Sequence, residues 1–235
     1  MGLPGVSSQV CFLAPMEAAQ NIKKTGDVGN LPLLPYSAMC ISGFSWINYG
    51  LALKQPAVWL PNIVAFLLGG YYTAIFCMNC QSDKDGLPGT KKMHVVAIVT
   101  LCTVVALIRS SCPDAEASNL LGKFGAALVV MMFGGPLVAI QTVVKEQHTA
   151  SLPFTFTVAT FVNCLLWFIY STCVITDVNI WFPQALGLGS SVLQLALFAA
   201  YGITRPGTAC VASGLISSNI LAPKPTWTVD QVGSE

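Results

Sequence analysis

Apolar residues run through this chain in long blocks, and its charged residues collect between them. Breaking the sequence at its charged or Gly/Pro-rich patches leaves seven blocks, roughly 6–22, 33–53, 57–79, 93–110, 121–144, 153–174 and 180–203. A helix needs about 20 residues to cross ~30 Å of hydrocarbon. Each block therefore predicts a membrane-spanning helix, and the fold class expected is an all-α membrane protein with seven transmembrane helices. The first block is short. It does not read as a signal peptide, because it lacks a basic leader and a cleavage site and ends in Lys23–Lys24. From Arg205 to Glu235 the chain holds Pro, Gly and Ser with few large apolar residues after Leu221, which predicts a disordered tail.

The blocks repeat. "FLAPMEAAQNIKKTG" (12–26) matches "FGGPLVAIQTVVKEQ" (133–147), with Pro15 on Pro136 and Gln20 on Gln141, each 121 residues apart. Trp46 falls on Trp167 and Tyr49 on Tyr170 at the same offset, and Pro61–Asn62 falls on Pro183–Gln184 at 122. One offset held across three helices makes the chain two three-helix units joined by an extra helix near 93–110. Three spans plus one is an even number, so both units enter the membrane from the same side, as a parallel repeat about an axis along the membrane normal. The expected organisation is a first triple-helix bundle in 1–80, a linker helix with flanking loops in 81–120, a second bundle in 121–203 and a cytoplasmic tail in 204–235.

Composition agrees with a bilayer setting. The 235 residues are 54% hydrophobic and 9% charged, against about 25% charged in ordinary soluble domains, and mean hydropathy is +0.68. A net charge of +1 gives no electrostatic case for nucleic acid. Of the eleven Lys and Arg, eight (Lys23, Lys24, Lys84, Lys91, Lys92, Lys145, Arg205 and Lys224) fall on one side of the seven spans and three (Lys54, Arg109 and Lys123) on the other. The positive-inside rule then places the N-terminus outside and the C-terminus in the cytoplasm. Nine cysteines lie mostly inside apolar runs, and the one C-x-x-C, "CMNC" at 77–80, has no second pair or nearby histidines to make a metal site. No nucleophile–base pair, paired carboxylates or cofactor motif stands out, so an enzyme is not expected.

The polar residues that the repeat places inside the membrane are the candidate site. Trp46 lies 11 residues after Pro35 and Trp167 lies 14 after Pro153, which puts both rings well inside the bilayer, ~16–21 Å from the start of their helices. Tryptophan prefers the membrane interface, so a buried pair needs another reason. An aromatic face stacks on the C–H face of a sugar ring, and two could hold one from both sides. Ser42 and Asn163 each precede a tryptophan by four residues and share its helix face. Asn62 and Gln184 occupy equivalent places in the third helix of each unit. An unpaired amide in hydrocarbon costs several kcal/mol, and its donors and acceptors suit neutral hydroxyls better than an ion. The plainer reading of these groups is gap-filling tryptophans and amides that bond helix to helix. Pro15, Pro35, Pro136 and Pro153, paired toward the cytoplasmic ends, are candidate hinges; kinked, static helices are the plainer alternative.

Those residues carry a family likeness. The pattern that includes "SLPF" (151–154), "FVNCLLWFIY" (161–170) and "VLQLALFAAYG" (192–202) resembles the eukaryotic SWEET sugar transporters over residues 12 to about 202. The resemblance implies facilitated, uncoupled, bidirectional movement of mono- or disaccharides by alternating access between two bundles. It implies a sugar of the glucose, fructose or sucrose class as substrate and homo-oligomers in the bilayer. The tail carries no decisive sorting signal, so the plasma membrane is the default location, and no cofactor is expected. It makes Trp46 and Trp167 the stacking residues, Asn62 the sugar-binding amide, Ser42 and Asn163 the size filter, the four prolines hinges and Asp177 a residue of an outer gate. Gln184 departs from the family's usual Asn and pushes the amide one methylene further in. Glu17 departs from a usually uncharged position, two residues after Pro15, where it can reach water or Lys23. The first helix falls about two turns short of its usual outer end, consistent with a wider outer mouth or a clipped start.

The main rival is a proton-coupled PQ-loop transporter of an amino acid or other small solute. Such proteins carry Pro-Gln at the prolines of the first and fifth helices, where this chain reads "PM" (15–16) and "PL" (136–137). Coupling would need a buried titratable group, for which Glu17 is the candidate. A seven-helix receptor is opposed by the repeat and the short loops.

Overall fold

The computed structural model describes residues 2–29, 31–80 and 90–203. Among these the chain forms nine α-helices and no strand: α1 (Leu3–Leu13), α2 (Met16–Thr25), α3 (Leu34–Ala52), α4 (Pro56–Asn79), α5 (Lys91–Ser111), α6 (Asp114–Met132), α7 (Gly134–Glu146), α8 (Phe154–Cys173) and α9 (Val178–Tyr201). Five stretches are long and apolar enough to cross a membrane: α4, α5, α6 with α7, α8 and α9. α3 has 19 residues and carries Tyr36, Ser37, Ser42, Ser45 and Asn48, which lower its apolarity. The predicted tail and the residues 81–89 lie outside the described residues.

The first and fifth predicted blocks each form two helices, and proline chemistry explains both breaks. A proline ring clashes with the carbonyl four residues back. For Pro15 that carbonyl is Cys11, which instead accepts a tighter bond from the Ala14 N–H at 3.3 Å, and α1 ends at Leu13. For Pro136 it is Met132, the last residue of α6. The fifth block also starts earlier than the expected 121. Pro113 precedes the helix, and Asp114 and Glu116 sit in its first turn, where the helix dipole favours acidic groups. Those charges made the segment read as a loop, and Lys123, expected in an external segment, lies on α6.

Packing follows the repeat. α3 lies along α4, and α8 along α9. α1 touches α4 and α8; its counterpart α6 touches α9 and α3. α5, which has no counterpart, packs on α3 and α6. The α3–α4 approach is backbone to backbone: a Cβ on Gly43 would stand 2.6 Å from the Phe66 nitrogen, and one on Gly69 would stand 2.5 Å from that of Cys40. Small residues permit such contacts in membranes, where dispersion rather than water exclusion holds helices together. One core cluster joins both halves, with Trp46, Tyr49 and Val58 packed against Leu121, Trp167 and Ile180.

Candidate functional site

A cavity of about 420 Å³ lies between the two halves, within the roughly 300–1,000 Å³ of small-molecule sites. On α3 its wall runs from Pro35 through Met39 and Ser42 to Trp46; on α8 it runs from Phe156 through Thr160 and Asn163 to Trp167. Nothing on either helix lines it beyond the tryptophans, so the cavity extends from the tryptophan layer toward the N-terminal ends of α3 and α8. Asn62 of α4 and Gln184 of α9 enter from the sides, and α1 contributes Ser8, Cys11 and Phe12.

All six residues expected to bind substrate (Trp46, Trp167, Asn62, Gln184, Ser42 and Asn163) therefore share one cavity, together with Pro35 and Pro136. Pro15, Pro153 and Asp177 do not line it. Pro15 is the N-cap of α2 and Pro153 that of α8. Tyr170 stays outside as well and sets its ring edge to face with Trp167 at 6.0 Å, as Tyr49 does with Trp46 at 5.2 Å.

Past the tryptophans the interior is closed. Trp46 and Trp167 are only 7% and 6% exposed, and the apolar cluster around them fills the space toward the other end of the bundle. There the Tyr49 hydroxyl donates to Asp177 Oδ2 at 2.5 Å. Asp177 also caps α9, accepting from the Asn179 N–H at 2.8 Å. The bond ties α3 of one half to the start of α9 in the other. Two small residues of α6 make room for it: a Cβ on Gly122 would come within 2.6 Å of Tyr49 Cε2, and one on Gly125 within 3.1 Å of Trp46 Cε2.

The polar groups are not equally free. Asn62 Nδ2 donates to the Val58 carbonyl at 2.7 Å, and its Oδ1 has no partner among the described residues. Asn163 Oδ1 accepts from Ser7 Oγ and Ser8 Oγ, both at 2.9 Å. The Trp167 indole N–H donates to Ser8 Oγ at 2.8 Å, whereas that of Trp46 has no acceptor among the described residues. Gln184 likewise keeps both ends of its amide without a protein partner there. Glu17 is exposed at the start of α2 and forms no ion pair with Lys23. Sequence reasoning missed Ser7 and Ser8. Two adjacent hydroxyls inside an apolar helix were the available signal, but neither recurs in the second unit, where Val129 stands at the position of Ser8.

Comparison with known proteins gives one family throughout. The family described as "Sugar efflux transporter for intercellular exchange" matches residues 2–84 and again 119–205. The "Bidirectional sugar transporter SWEET4" of Arabidopsis thaliana is 30% identical over 207 residues, 86% of this chain and 80% of that protein. The "Sugar transporter SWEET1" of Danio rerio is 24% identical, over 83% of this chain and 87% of that one. Among solved structures, "The 3.7 A resolution structure of a eukaryotic SWEET transporter" superposes with a TM-score of 0.73 over 84% of this chain and 93% of that one, at 22% identity. The SWEET proteins are transporters rather than enzymes. On the two matches that together span most of its length, this chain belongs to the SWEET family of sugar transporters.

Proposed function

We propose that the protein carries mono- or disaccharides across a membrane in both directions, uncoupled from ions, by exposing one cavity alternately to either side. The observation that carries this reading is the convergence of two tryptophans and four polar side chains, three from each half, on a single cavity. The α1/α2 segment, α3 and α4 form one bundle, the α6/α7 segment, α8 and α9 form the other, and α5 links them, which makes seven spans. Lys23, Lys24, Lys91, Lys92 and Lys145 all stand at the end where α3 and α8 begin. That end is the cytoplasmic one, with the N-terminus outside and the plasma membrane as the setting. The arrangement described above is then open inward and closed outward.

In this cycle Trp46 and Trp167 stack on the sugar ring. Asn62 accepts from hydroxyls, Gln184 offers both polarities, and Ser42 and Asn163 limit size. Tyr49 and Asp177 latch the outer side. Opening outward breaks that bond, while the helix breaks at Pro15 and Pro136 and the helix starts at Pro35 and Pro153 absorb the rocking of the bundles. Glu17 lies at the start of α2 and does not line the cavity, so the cycle gives it no role. Self-association in the bilayer is part of the reading but plays no part in the site.

The test is uptake of radiolabelled glucose and sucrose by cells that lack their own carriers, with and without a proton uncoupler. Uptake of at least one sugar that survives the uncoupler is expected. Absence of both from protein present at the surface, or collapse on uncoupling, would overturn the reading.

A further inference from the structure

The α1–α8 contact contains a hydrogen-bond arrangement whose direction can be worked out by counting protons. An indole N–H only donates, so Ser8 Oγ must accept from Trp167 Nε1. That leaves the Ser8 hydroxyl proton, and the Ser7 proton beside it, to be placed. Each serine oxygen lies near the same two oxygens: the Pro4 carbonyl, at 2.9 Å from Ser7 and 3.0 Å from Ser8, and Asn163 Oδ1, at 2.9 Å from both. The Pro4 carbonyl, inside α1, already receives the helical N–H of Ser8. It has one lone pair left for two protons. At least one serine proton therefore goes to Asn163, and the end of the amide facing α1 is its oxygen. The N–H₂ end has no protein partner among the described residues, and Asn163 lines the cavity.

We infer that Ser8 is a positioning residue: it fixes the Trp167 ring and, with Ser7, turns the N–H₂ of Asn163 toward the cavity, so that this side of the site recognises a ligand oxygen as acceptor. The inference rests on the sugar-binding reading above only for the nature of the ligand. It gives the site a polarity, with donors at Asn163 across from the free acceptor Oδ1 of Asn62. A sugar hydroxyl meeting Asn163 is bound through its oxygen lone pairs, whereas one meeting Asn62 is bound through its proton.

Two measurements on the full-length protein decide it. The first reads the indole ¹⁵N–H signals in detergent, with Trp167 assigned by its loss in Trp167→Phe. Ser8→Ala should move the Trp167 signal, Ser8→Thr should restore it, and Ser7→Ala, which does not touch the indole, should leave it in place. An unmoved signal in Ser8→Ala overturns the positioning role. The second compares monodeoxy and monodeoxyfluoro glucoses as competitors of glucose uptake. Fluorine keeps an acceptor where the deoxy position has none. At the hydroxyl whose contribution disappears in Asn163→Ala, the fluoro sugar should compete about five- to tenfold better than the deoxy sugar, and Ser8→Ala should erase that preference. Equal competition in the wild type overturns the donor assignment. If the wild type takes up no sugar, the transport reading fails, and the indole signal still decides the role of Ser8.

Discussion

The two tryptophans occupy matching positions of the repeat, yet the protein holds them by different means. Trp167 is tied through its indole N–H to Ser8 of α1. Trp46 rests on the α6 backbone at Gly125, and its N–H faces no acceptor among the described residues. The same contrast separates the two tyrosines beside them. Tyr49 reaches Asp177, whereas its counterpart Tyr170 has no such bond, because the residue matching Asp177 in the first unit lies at the start of α4, where the chain reads Gln55–Pro56. Duplication supplied the frame of two tryptophans and two amide positions. Departures from the duplication decide which of these groups have protein partners and which do not.

The harshest way to break the comparison is to remove either ring. Trp46→Ala and Trp167→Ala each forfeit a buried aromatic surface worth several kcal/mol. Uptake by either variant should fall about 100-fold or more at unchanged surface level; equal uptake by wild type and either variant would remove the tryptophans from the site. Next comes the one-sided latch. A hydrogen bond to a carboxylate contributes about 1.5–3 kcal/mol, so Tyr49→Phe should shift the conformational balance toward the outward-open form roughly tenfold. Labelling of a cysteine placed beside Trp46 by an external thiol reagent reads that shift, and Tyr170→Phe should leave the labelling rate unchanged.

The sequence made much of this visible and hid the rest for a reason. Trp46, Trp167, Asn62, Gln184, Pro15 and Pro136 could be read because each recurs at an offset of 121 or 122, and a repeat search finds what the halves share. Ser8, Ser7 and the Tyr49–Asp177 pairing could not be found that way, since they belong to one half or cross between both. The packing of α5 against α3 and α6 was equally closed to it, because a helix without a counterpart gives no alignment. The start of α6 was missed because Asp114 and Glu116 resemble a loop when counted as charges, although both favour a helix N-terminus. The breaks after Leu13 and Met132 follow from Pro15 and Pro136 once helix geometry is applied, but the sequence alone does not tell a kink from a full interruption.

Two smaller perturbations sharpen the contrast. Gly122→Ala puts a methyl group against Tyr49 and Asn179 and should cost about 1–3 kcal/mol of stability, seen as a lower thermal midpoint in detergent. It should also weaken the latch in the direction of Tyr49→Phe. Val129→Ser installs at the cavity wall the hydroxyl that Ser8 supplies in the other half. It should move the Trp46 indole ¹⁵N–H signal while changing glucose uptake by less than about threefold, since one hydrogen bond between membrane helices averages only about 0.6 kcal/mol.

The most direct test of the whole account is counterflow in vesicles containing the purified protein. Vesicles loaded with unlabelled glucose or sucrose, with no pH difference or membrane potential, are diluted into a trace of the same labelled sugar. A single cavity exposed alternately to both sides predicts a transient accumulation of label inside above its external concentration, abolished in Trp167→Ala. Influx that only approaches equilibrium, or that requires a proton gradient, would contradict it.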